Sequence, residues 1–478
     1  MRAEDPSTGK HAGCVVDLTG LGHVTLVQEV ARNPETCLYR TDHTGVAVKV
    51  FDLECGRDDE VSYGPYANFQ AELATFEEIE AIEALRVFVP RYFGAQIDYD
   101  RKFAFIAMEY LPGSNLRAWA GETAAEGYGP RQLHGLSRVV RDTLAILDRF
   151  HQHGFVVIDF KPDNVVRLPD GSVRFVDLGA FFTPRHRNDP ASFVYAATPD
   201  HAEVVIDASN LQAQVAPSVT GDVFSAGVAL FELATGQSRL LIDPATAEEM
   251  LATPALYRFR DTQIADVWKA FPHLRPELPL LQTQLQERRL LFAELWHLLK
   301  AYVAARVPGW EDLPEAEHEQ ILLSTGTTFV MEQLPEPLAW LAGPIARATA
   351  LRSQRPASVG ALLPLLGQPA DPAVLADLEA HNHFLAHLRN LEVSTDFATR
   401  LNAWDARRNA VSQRWGISTP LAAWQLGGTA GCIFLKRLTE DPAGHTWWTA
   451  VDEFEADMLG GVRVNLAGLG ADHQSWLA

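Results

Sequence analysis

Four polar side chains at fixed spacing have the chemistry for phosphoryl transfer. Asp159, Lys161 and Asn164 fall within one short segment, and Asp177 follows thirteen residues after Asn164. In that reaction one carboxylate orients a hydroxyl and accepts its proton, while an ammonium offsets charge on the moving phosphoryl group. An asparagine and a second aspartate hold Mg²⁺ on the phosphates. The alternative interpretation is a chance turn in a proline-containing loop, so the surrounding elements must be considered.

Short strands and one helix come before this segment. Three β-rich runs joined by short turns predict an antiparallel meander, and apolar residues at three- and four-residue spacing then predict a helix. Two further runs predict strands. In chain order these elements cover residues 23–30, 37–41, 46–51, 69–85, 87–94 and 103–110.

Helices dominate after the break at Leu111-Pro112-Gly113. Residues 138–153 predict a buried helix that leads to Asp159, residues 173–176 a short strand that delivers Asp177, and residues 221–235 another helix. The pattern predicts an α+β fold of two lobes, a β-rich N-lobe and a helical C-lobe. Nucleotides commonly bind in the crevice between such lobes.

Several motifs together resemble the protein kinase family. The run from Asp159 to Asn164 with Asp177-Leu178-Gly179 resembles the catalytic loop and metal-binding turn of that family. Val46-Ala47-Val48-Lys49 is similar to its lysine strand, and residues 108–113 are similar to its hinge. The resemblance extends from about residue 23 to residue 367 and implies the bilobal protein-kinase-like fold.

The resemblance implies a nucleotide site in the first lobe. Lys49 is expected to contact the α- and β-phosphates of ATP and to pair with a helix glutamate. Glu72 is the favoured partner and Glu78 is the rival, because both fit the helical pattern. Met108 is then the gatekeeper, and backbone groups of two hinge residues bind the adenine edge. These residues are Glu109 and Leu111.

The resemblance also assigns roles around the reacting groups. Asp159 and Lys161 are the implied catalytic residues, and Asn164 and Asp177 are the implied Mg²⁺ ligands. Two further roles are structural. Asp222 is expected to hold the catalytic-loop backbone, and Glu203 is expected to pair with Arg355.

Two departures from the family pattern have consequences. Ile158 replaces the arginine that in the family often binds a phosphate on the activation segment, which here runs from Asp177 to Glu203. We therefore predict activity that does not depend on phosphorylation of that segment. Residues 28–36 contain no glycine where the family has its glycine-rich phosphate loop. Because glycine lets backbone amides approach phosphate closely, the phosphates must be held more weakly or differently, with Arg32 as a candidate.

Composition excludes some classes of partner. The formal net charge of −21, from 40 basic and 61 acidic residues, argues against binding to nucleic acid or an anionic membrane. Four separated cysteines indicate reduced thiols. The polar first residues and the absence of a long apolar run predict a cytoplasmic protein without signal peptide or transmembrane segment, although signal-less export as an effector stays open.

The predicted organisation has three parts. Residues 1–22 are an amino-terminal extension, and residues 23–367 are the kinase-like domain, with its N-lobe over 23–111 and its C-lobe over 112–367. A helical insertion over 237–333 includes an amphipathic stretch at 278–303. Residues 368–478 are a helical C-terminal domain. The insertion and this domain are candidate surfaces for a protein partner.

The sequence predicts an ATP- and Mg²⁺-dependent Ser/Thr protein kinase that acts on a protein hydroxyl. The Asp159-x-Lys161-Pro162 pattern favours a protein substrate, because small-molecule phosphotransferases of the same fold generally lack that lysine. Two alternatives stay open. One is such a small-molecule phosphotransferase, and the other is a pseudokinase scaffold, which the missing glycine-rich loop favours.

Overall fold

The computed structural model describes most of the chain up to residue 366 and two strands beyond it. The described residues are 11–18, 21–33, 36–53, 64–188, 197–203, 217–270, 278–304, 307, 310–366, 435–440 and 446–450. The chain divides into two units, residues 1–127 with 135–367 and residues 128–134 with 368–478. Among the described helices, none combines the length and the apolar character needed to span a bilayer.

A six-stranded antiparallel sheet forms the amino-terminal half of the first unit, in the order β1-β2-β3-β4-β6-β5. The predicted meander corresponds to β2, β3 and β4. One face buries alternating apolar side chains that include Val24, Leu26 and Val48. The strands are β1 (Val15–Leu18), β2 (Gly22–Arg32), β3 (Thr36–Thr41), β4 (Val46–Asp52), β5 (Tyr92–Asp98) and β6 (Phe103–Glu109).

Two sequence predictions for this sheet need correction. The sheet begins within the predicted extension 1–22, because β1 pairs with β2 and buries Val16 and Leu18. The strand predicted over 87–94 begins only at Tyr92. Pro90 offers no amide for a strand ladder, and Val87 has the helical angles φ −73° and ψ −11°.

Two helices follow β4, and the first of them packs against the sheet. Helix α1 (Pro65–Glu80) buries Phe69, Phe76 and Ile79, and the Phe69 ring meets Phe51 of β4 edge to face at 5.6 Å. Ile82 has extended backbone angles and separates α1 from α2 (Glu83–Arg86). Helix α1 therefore lies directly beside the strand that carries the lysine.

The second half of the first unit is mainly helical. Helix α6 (Val219–Thr235) buries all thirteen residues from Asp222 to Ala234, which is the pattern of a central core helix. Its ends are set by Ser218, whose hydroxyl caps the Gly221 amide, and by Gly236 at φ +72°. The elements up to α6 are β7 (Ser114–Asn115), α3 (Leu116–Glu126), α4 (Pro130–Gln152), β8 (Val165–Arg167), β9 (Val173–Phe175), α5 (Pro184–Asn188) and α6 (Val219–Thr235).

The predicted insertion 237–333 is helical, but part of it belongs to the lobe core. Trp296 is 2% exposed, lies against Gly326 and donates its indole N–H to Thr349 at 3.3 Å. The amphipathic stretch forms two helices separated by a two-residue strand, and Arg288, directly before that strand, has a φ of +57°. The elements are β10 (Leu240–Leu241), α7 (Pro244–Leu251), α8 (Pro254–Ala270), α9 (Leu281–Gln286), β11 (Arg289–Leu290), α10 (Phe292–Ala304), α11 (Glu315–Met331) and α12 (Ala342–Thr349).

The second unit contains two described strands in the region predicted to be helical. β12 (Leu435–Glu440) pairs with β13 (Thr446–Ala450) in antiparallel register. The helical prediction is therefore wrong for these residues. Two threonines and two tryptophans within β13 favour an extended, pleated backbone. The rest of the predicted domain 368–478 lies outside the described residues.

Candidate active site

Lys49 lies at the centre of the first half of the candidate site. Strand β4 places it between β3 and β6, where it is paired with Leu38 and Ile106 in the sheet register. Its Nζ is 2.6 Å from Glu72 Oε2 and 2.7 Å from Asp177 Oδ1. The structure thus brings together the strand lysine, the helix glutamate and the Asp177 carboxylate.

Mutual charge fixes the protonation of this triad. Burial raises the pKa of Glu72 above its ordinary value, although the Lys49 ammonium opposes that shift. The same ammonium holds the pKa of Asp177 below its ordinary value. Burial alone would lower the pKa of Lys49, but the carboxylates of Asp177 and Glu72 outweigh burial and raise it. The lysine therefore stays positively charged where phosphates would need a cation.

Glu78 does not contact Lys49. Its Oε1 accepts a hydrogen bond from Thr183 Oγ1 at 2.6 Å, so it reaches the chain beyond Asp177 instead. Between the two glutamates that the sequence left open, Glu72 is the partner of Lys49 in the structure.

The second half of the site is centred on Asp159. Lys161 Nζ lies 2.8 Å from Asp159 Oδ2, and Asn164 Nδ2 donates to the same oxygen at 3.1 Å and to the Asp159 carbonyl at 3.0 Å. Pro162–Asn164 forms a short 3₁₀ turn that holds this asparagine, which is buried, beside the aspartate. The arrangement fixes one carboxylate at the surface of the loop.

Thr198 is a site residue that the sequence analysis did not assign to the site. Its amide donates to Asp159 Oδ1 at 2.7 Å, and its hydroxyl accepts from Lys161 Nζ at 2.7 Å. The two carboxylate oxygens of Asp159 are therefore oriented from opposite sides. The signal available in the sequence was the Thr198-Pro199 pair, which follows Asp177 by some twenty residues.

The backbone of the catalytic loop is held from the core. Asp222 accepts hydrogen bonds from the amides of Val157 at 2.6 Å and Ile158 at 2.8 Å, and His151 Nε2 lies 2.7 Å from the same carboxylate. Ile158 has a φ of +62°, which is strained for a β-branched residue. The buried carboxylate of α6 stabilises this conformation and so sets the position of Asp159.

The oxygens that could hold Mg²⁺ are those of Asn164 and Asp177. The Asn164 nitrogen is occupied by Asp159, which leaves its side-chain oxygen as the group available to a cation. Asp177 has a φ of +59°, and its side chain is about half exposed. An amide oxygen with an ionised carboxylate suits Mg²⁺, which prefers oxygen ligands and usually takes one or two carboxylates with substrate phosphates.

The predicted hinge joins the sheet to the helical half. Met108 is 7% exposed and lies between Ala47 and Tyr92 in the sheet. The Glu109 amide donates to the Arg91 carbonyl at 2.8 Å, so the strand ladder continues through it. The carbonyl of Leu111 accepts from the Gly113 amide at 2.9 Å, which turns the chain out of the sheet. The binding of adenine by Glu109 and Leu111 stays a prediction.

The hairpin between β2 and β3 occupies the place of the expected phosphate loop. Asn33 closes it, because its side chain accepts from the Thr36 amide at 2.6 Å. Arg32 makes a two-bond contact with Glu29, at 2.8 and 2.7 Å, and Tyr39 donates to the same carboxylate at 2.8 Å. The guanidinium is thus already paired with an acid, and a role for it toward phosphate stays a prediction.

The end of the activation segment is tied to the core as expected. Arg355 Nη1 lies 2.7 Å from Glu203 Oε2, and both side chains are largely buried. Burial lowers the pKa of Arg355, although the carboxylate of Glu203 opposes the shift. The pair anchors the carboxyl-terminal end of the segment that begins at Asp177.

Comparison with known proteins is consistent with this geometry. The family model for the protein kinase domain matches residues 35–289. The chain is 25% identical over 222 residues to the probable serine/threonine-protein kinase PknB of Lactococcus lactis, which is 44% of this chain and 31% of that protein. It is 29% identical over 148 residues to the serine/threonine-protein kinase PknL of Mycobacterium tuberculosis, 30% of this chain and 34% of that protein.

A eukaryotic relative shows a similar match. The MAP kinase kinase MKK1/SSP32 of Saccharomyces cerevisiae is 27% identical over 168 residues, 35% of this chain and 30% of that protein. The matched part thus spans about a third of the length of each of these relatives. The family match covers more than half of the 478 residues and includes the lysine strand, catalytic loop and metal-binding turn. The chain belongs to the protein kinase domain family.

Proposed function

We propose that this protein is an active, ATP- and Mg²⁺-dependent Ser/Thr protein kinase. The observation that carries the proposal is the geometry around Asp159, whose two carboxylate oxygens are held by Lys161, Asn164 and the Thr198 amide. A carboxylate fixed in this way can accept the proton of a substrate hydroxyl as the phosphoryl group is transferred. Lys161 supplies positive charge beside the same hydroxyl.

The remaining residues give the proposed nucleotide site. Lys49 would contact the α- and β-phosphates, with Glu72 holding it in place, while Asn164 and Asp177 would bind Mg²⁺. Bound Mg²⁺ would neutralise charge on the phosphates. Met108, with the backbone of Glu109 and Leu111, would contact adenine. The Lys49–Asp177 contact of 2.7 Å supports this assignment, because the ammonium proposed to bind phosphate and the carboxylate proposed to bind Mg²⁺ lie side by side.

A protein hydroxyl is the proposed acceptor. Lys161 donates to Thr198 and pairs with Asp159. An acceptor chain with its hydroxyl at Asp159 would therefore lie against Lys161. The relatives named serine/threonine-protein kinases support the same acceptor class. Cys14 and Cys37 carry reduced thiols, which suits the reducing cytoplasm that we propose as the location.

The pseudokinase alternative is favoured by one observation, the β2–β3 hairpin. In its described residues no glycine allows backbone amides to approach phosphate, and Arg32 is paired with Glu29. A scaffold of this type would bind partners without transferring phosphate, and the helical region 237–333 would offer one surface.

One experiment separates these functions. Purified protein would be incubated with γ-labelled ATP, Mg²⁺ and either mixed generic proteins or mixed small-molecule alcohols, followed by acid hydrolysis of the labelled protein. We expect label on phosphoserine and phosphothreonine. Label recovered only in small molecules would establish the phosphotransferase alternative, and an absence of label in both pools would favour the scaffold. An Asp159→Asn variant provides the control for contaminating kinases.

A further inference from the structure

Glu78 connects α1 to the segment that follows the metal-binding turn. It lies six residues after Glu72 on the same helix, and its side chain accepts the hydroxyl of Thr183 at 2.6 Å. Its second oxygen is 3.4 Å from the Arg185 amide. Thr183 is completely buried whereas Glu78 is partly exposed, so the hydroxyl end of this bond lies away from water. The same hydroxyl also lies 3.2 Å from Nδ1 of the buried His186. Hydrogen bonds to a charged acceptor are stronger than those between neutral groups, especially in a low-dielectric setting.

The same helix contacts this part of the chain at a second point. The Leu178 amide lowers the pKa of the nearby Glu72 carboxyl, and Gly179 lies against the same side chain. Beyond the turn, Phe182 exchanges two backbone hydrogen bonds of 2.8 Å with Val156, which precedes the catalytic loop. Residues 178–183 therefore contact α1 through Glu72 and Glu78, and they contact the start of the catalytic loop through backbone hydrogen bonds. A displacement of α1 would move the turn that carries Asp177.

The catalytic loop lacks the arginine that could bind a phosphate on this segment, and its lysine, Lys161, is already paired with Asp159 and Thr198. Position 158 holds a buried isoleucine, which cannot form charge-assisted bonds. A phosphate on Thr183 would be buried and would also face the negative charge of Glu78. The ordering of this segment therefore uses an unmodified hydroxyl.

We propose that Glu78 is a positioning residue that holds α1 against the segment after Asp177 through the unmodified Thr183 hydroxyl. This contact keeps Lys49, Glu72 and Asp177 aligned without phosphorylation. The inference concerns regulation of the site described above and rests on the proposed kinase function. Glu78 does not bind Lys49 itself, but it keeps Glu72, which does, in place.

The test compares four single variants with the wild type. Glu78→Gln and Thr183→Val remove the charge and the hydroxyl, Thr183→Ser keeps the hydroxyl, and Glu77→Gln makes the same change at the exposed neighbouring position. Two readouts are taken, kcat/KM for phosphoryl transfer and the amide hydrogen exchange of residues 178–183. Hydrogen exchange reports the ordering of the segment independently of activity.

We expect Glu78→Gln and Thr183→Val each to lower kcat/KM by roughly tenfold or more and to speed exchange over 178–183. The double variant should lose less than the sum of the two single losses, because both substitutions remove the Glu78–Thr183 bond, while Thr183→Val also removes the contact of the hydroxyl with His186. Thr183→Ser and Glu77→Gln should stay within about twofold of wild type.

Contrary outcomes are distinguishable. If Glu78→Gln matches Glu77→Gln in both readouts, Glu78 has no positioning role and the inference is overturned. If wild type transfers no phosphate, the proposed kinase function fails, and the exchange data alone then decide whether Glu78 and Thr183 order the segment.

Discussion

Replacing Lys49 with methionine perturbs the centre of the candidate site, and its effect on folding can be worked out from the ion pairs. The Lys49 ammonium lies 2.6 Å from Glu72 and 2.7 Å from Asp177. The Glu72 side chain is 3% exposed, so Lys49→Met leaves a buried carboxylate without its cation. Breaking a buried pair by removing one partner costs about 3–5 kcal/mol. We expect about 3 kcal/mol at pH 7, because Asp177 is half exposed and remains solvated.

The loss should depend on pH in a direction that the pKa of Glu72 determines. Burial already raises the pKa of Glu72 above its unfolded value of 4.5, and removing the Lys49 ammonium takes away the charge that opposes this shift. An acid whose folded pKa is raised destabilises the folded state above that pKa and ceases to do so as the pH falls and it is protonated. The difference between wild type and Lys49→Met should therefore shrink between pH 7 and pH 5.

Urea unfolding of wild type, Lys49→Met and Lys49→Met/Glu72→Gln at both pH values measures these effects. The second substitution removes the stranded charge, so the double variant should recover about 1–2 kcal/mol at pH 7 and nothing at low pH. A double variant that is less stable than Lys49→Met at pH 7 would refute the reasoning. So would a pH-independent difference between wild type and Lys49→Met.

Three further predictions concern regulation, the catalytic loop and the core. Phosphatase treatment of wild type should leave the initial rate of phosphoryl transfer within about twofold of the untreated protein, because Ile158 provides no cation for a phosphate. A large loss of rate would reveal another basic residue in that role. Thr198→Val should lower kcat/KM by about tenfold or more, whereas Thr198→Ser, which keeps the hydroxyl that binds the loop lysine, should stay within a few-fold. Gly227→Ala should cost about 1–3 kcal/mol in urea unfolding, because its added Cβ would lie 2.7–2.8 Å from side chains of α12, while Gly343→Ala, with open space around it, should cost nothing.

The regulatory prediction gains detail from the described part of the segment. The segment from Asp177 to Glu203 has four candidate phosphorylation sites, Thr183, Ser192, Tyr195 and Thr198. The Thr183 hydroxyl donates to Glu78, and the Thr198 hydroxyl accepts from Lys161. Ser192 and Tyr195 lie outside the described residues. The two described hydroxyls thus already serve as hydrogen-bond partners of a carboxylate and an ammonium.

The residues that proved easiest to predict were those within one local stretch. Asp159, Lys161 and Asn164 share a loop so short that their spacing nearly fixes their contact, and the family resemblance placed the lysine strand in the sheet. The choice of Glu72 over Glu78 was harder, since both fit one helical pattern. Only the tertiary position of the segment after Asp177 shows that the two acids point to different partners.

Other features could not be predicted because they depend on distant parts of the chain. Thr198 reaches Asp159 across 39 positions, and nothing in its immediate sequence requires that contact. Strand β1 is four residues long, too short for a clear alternation, and is stabilised by pairing with β2. The burial of Trp296 against Gly326 likewise depends on packing between helices that the sequence pattern could not orient.

The most direct test of the central claim is phosphoryl transfer by wild type, Asp159→Ala and Asp177→Ala under identical conditions. Nucleotide binding with and without Mg²⁺ is measured in parallel, and circular dichroism verifies that each variant is folded. The account predicts that both variants lose transfer by orders of magnitude. Asp159→Ala should still bind nucleotide in an Mg²⁺-dependent manner, whereas Asp177→Ala should lose that dependence. Equal labelling by all three proteins would contradict the assignment of this site as the catalytic centre.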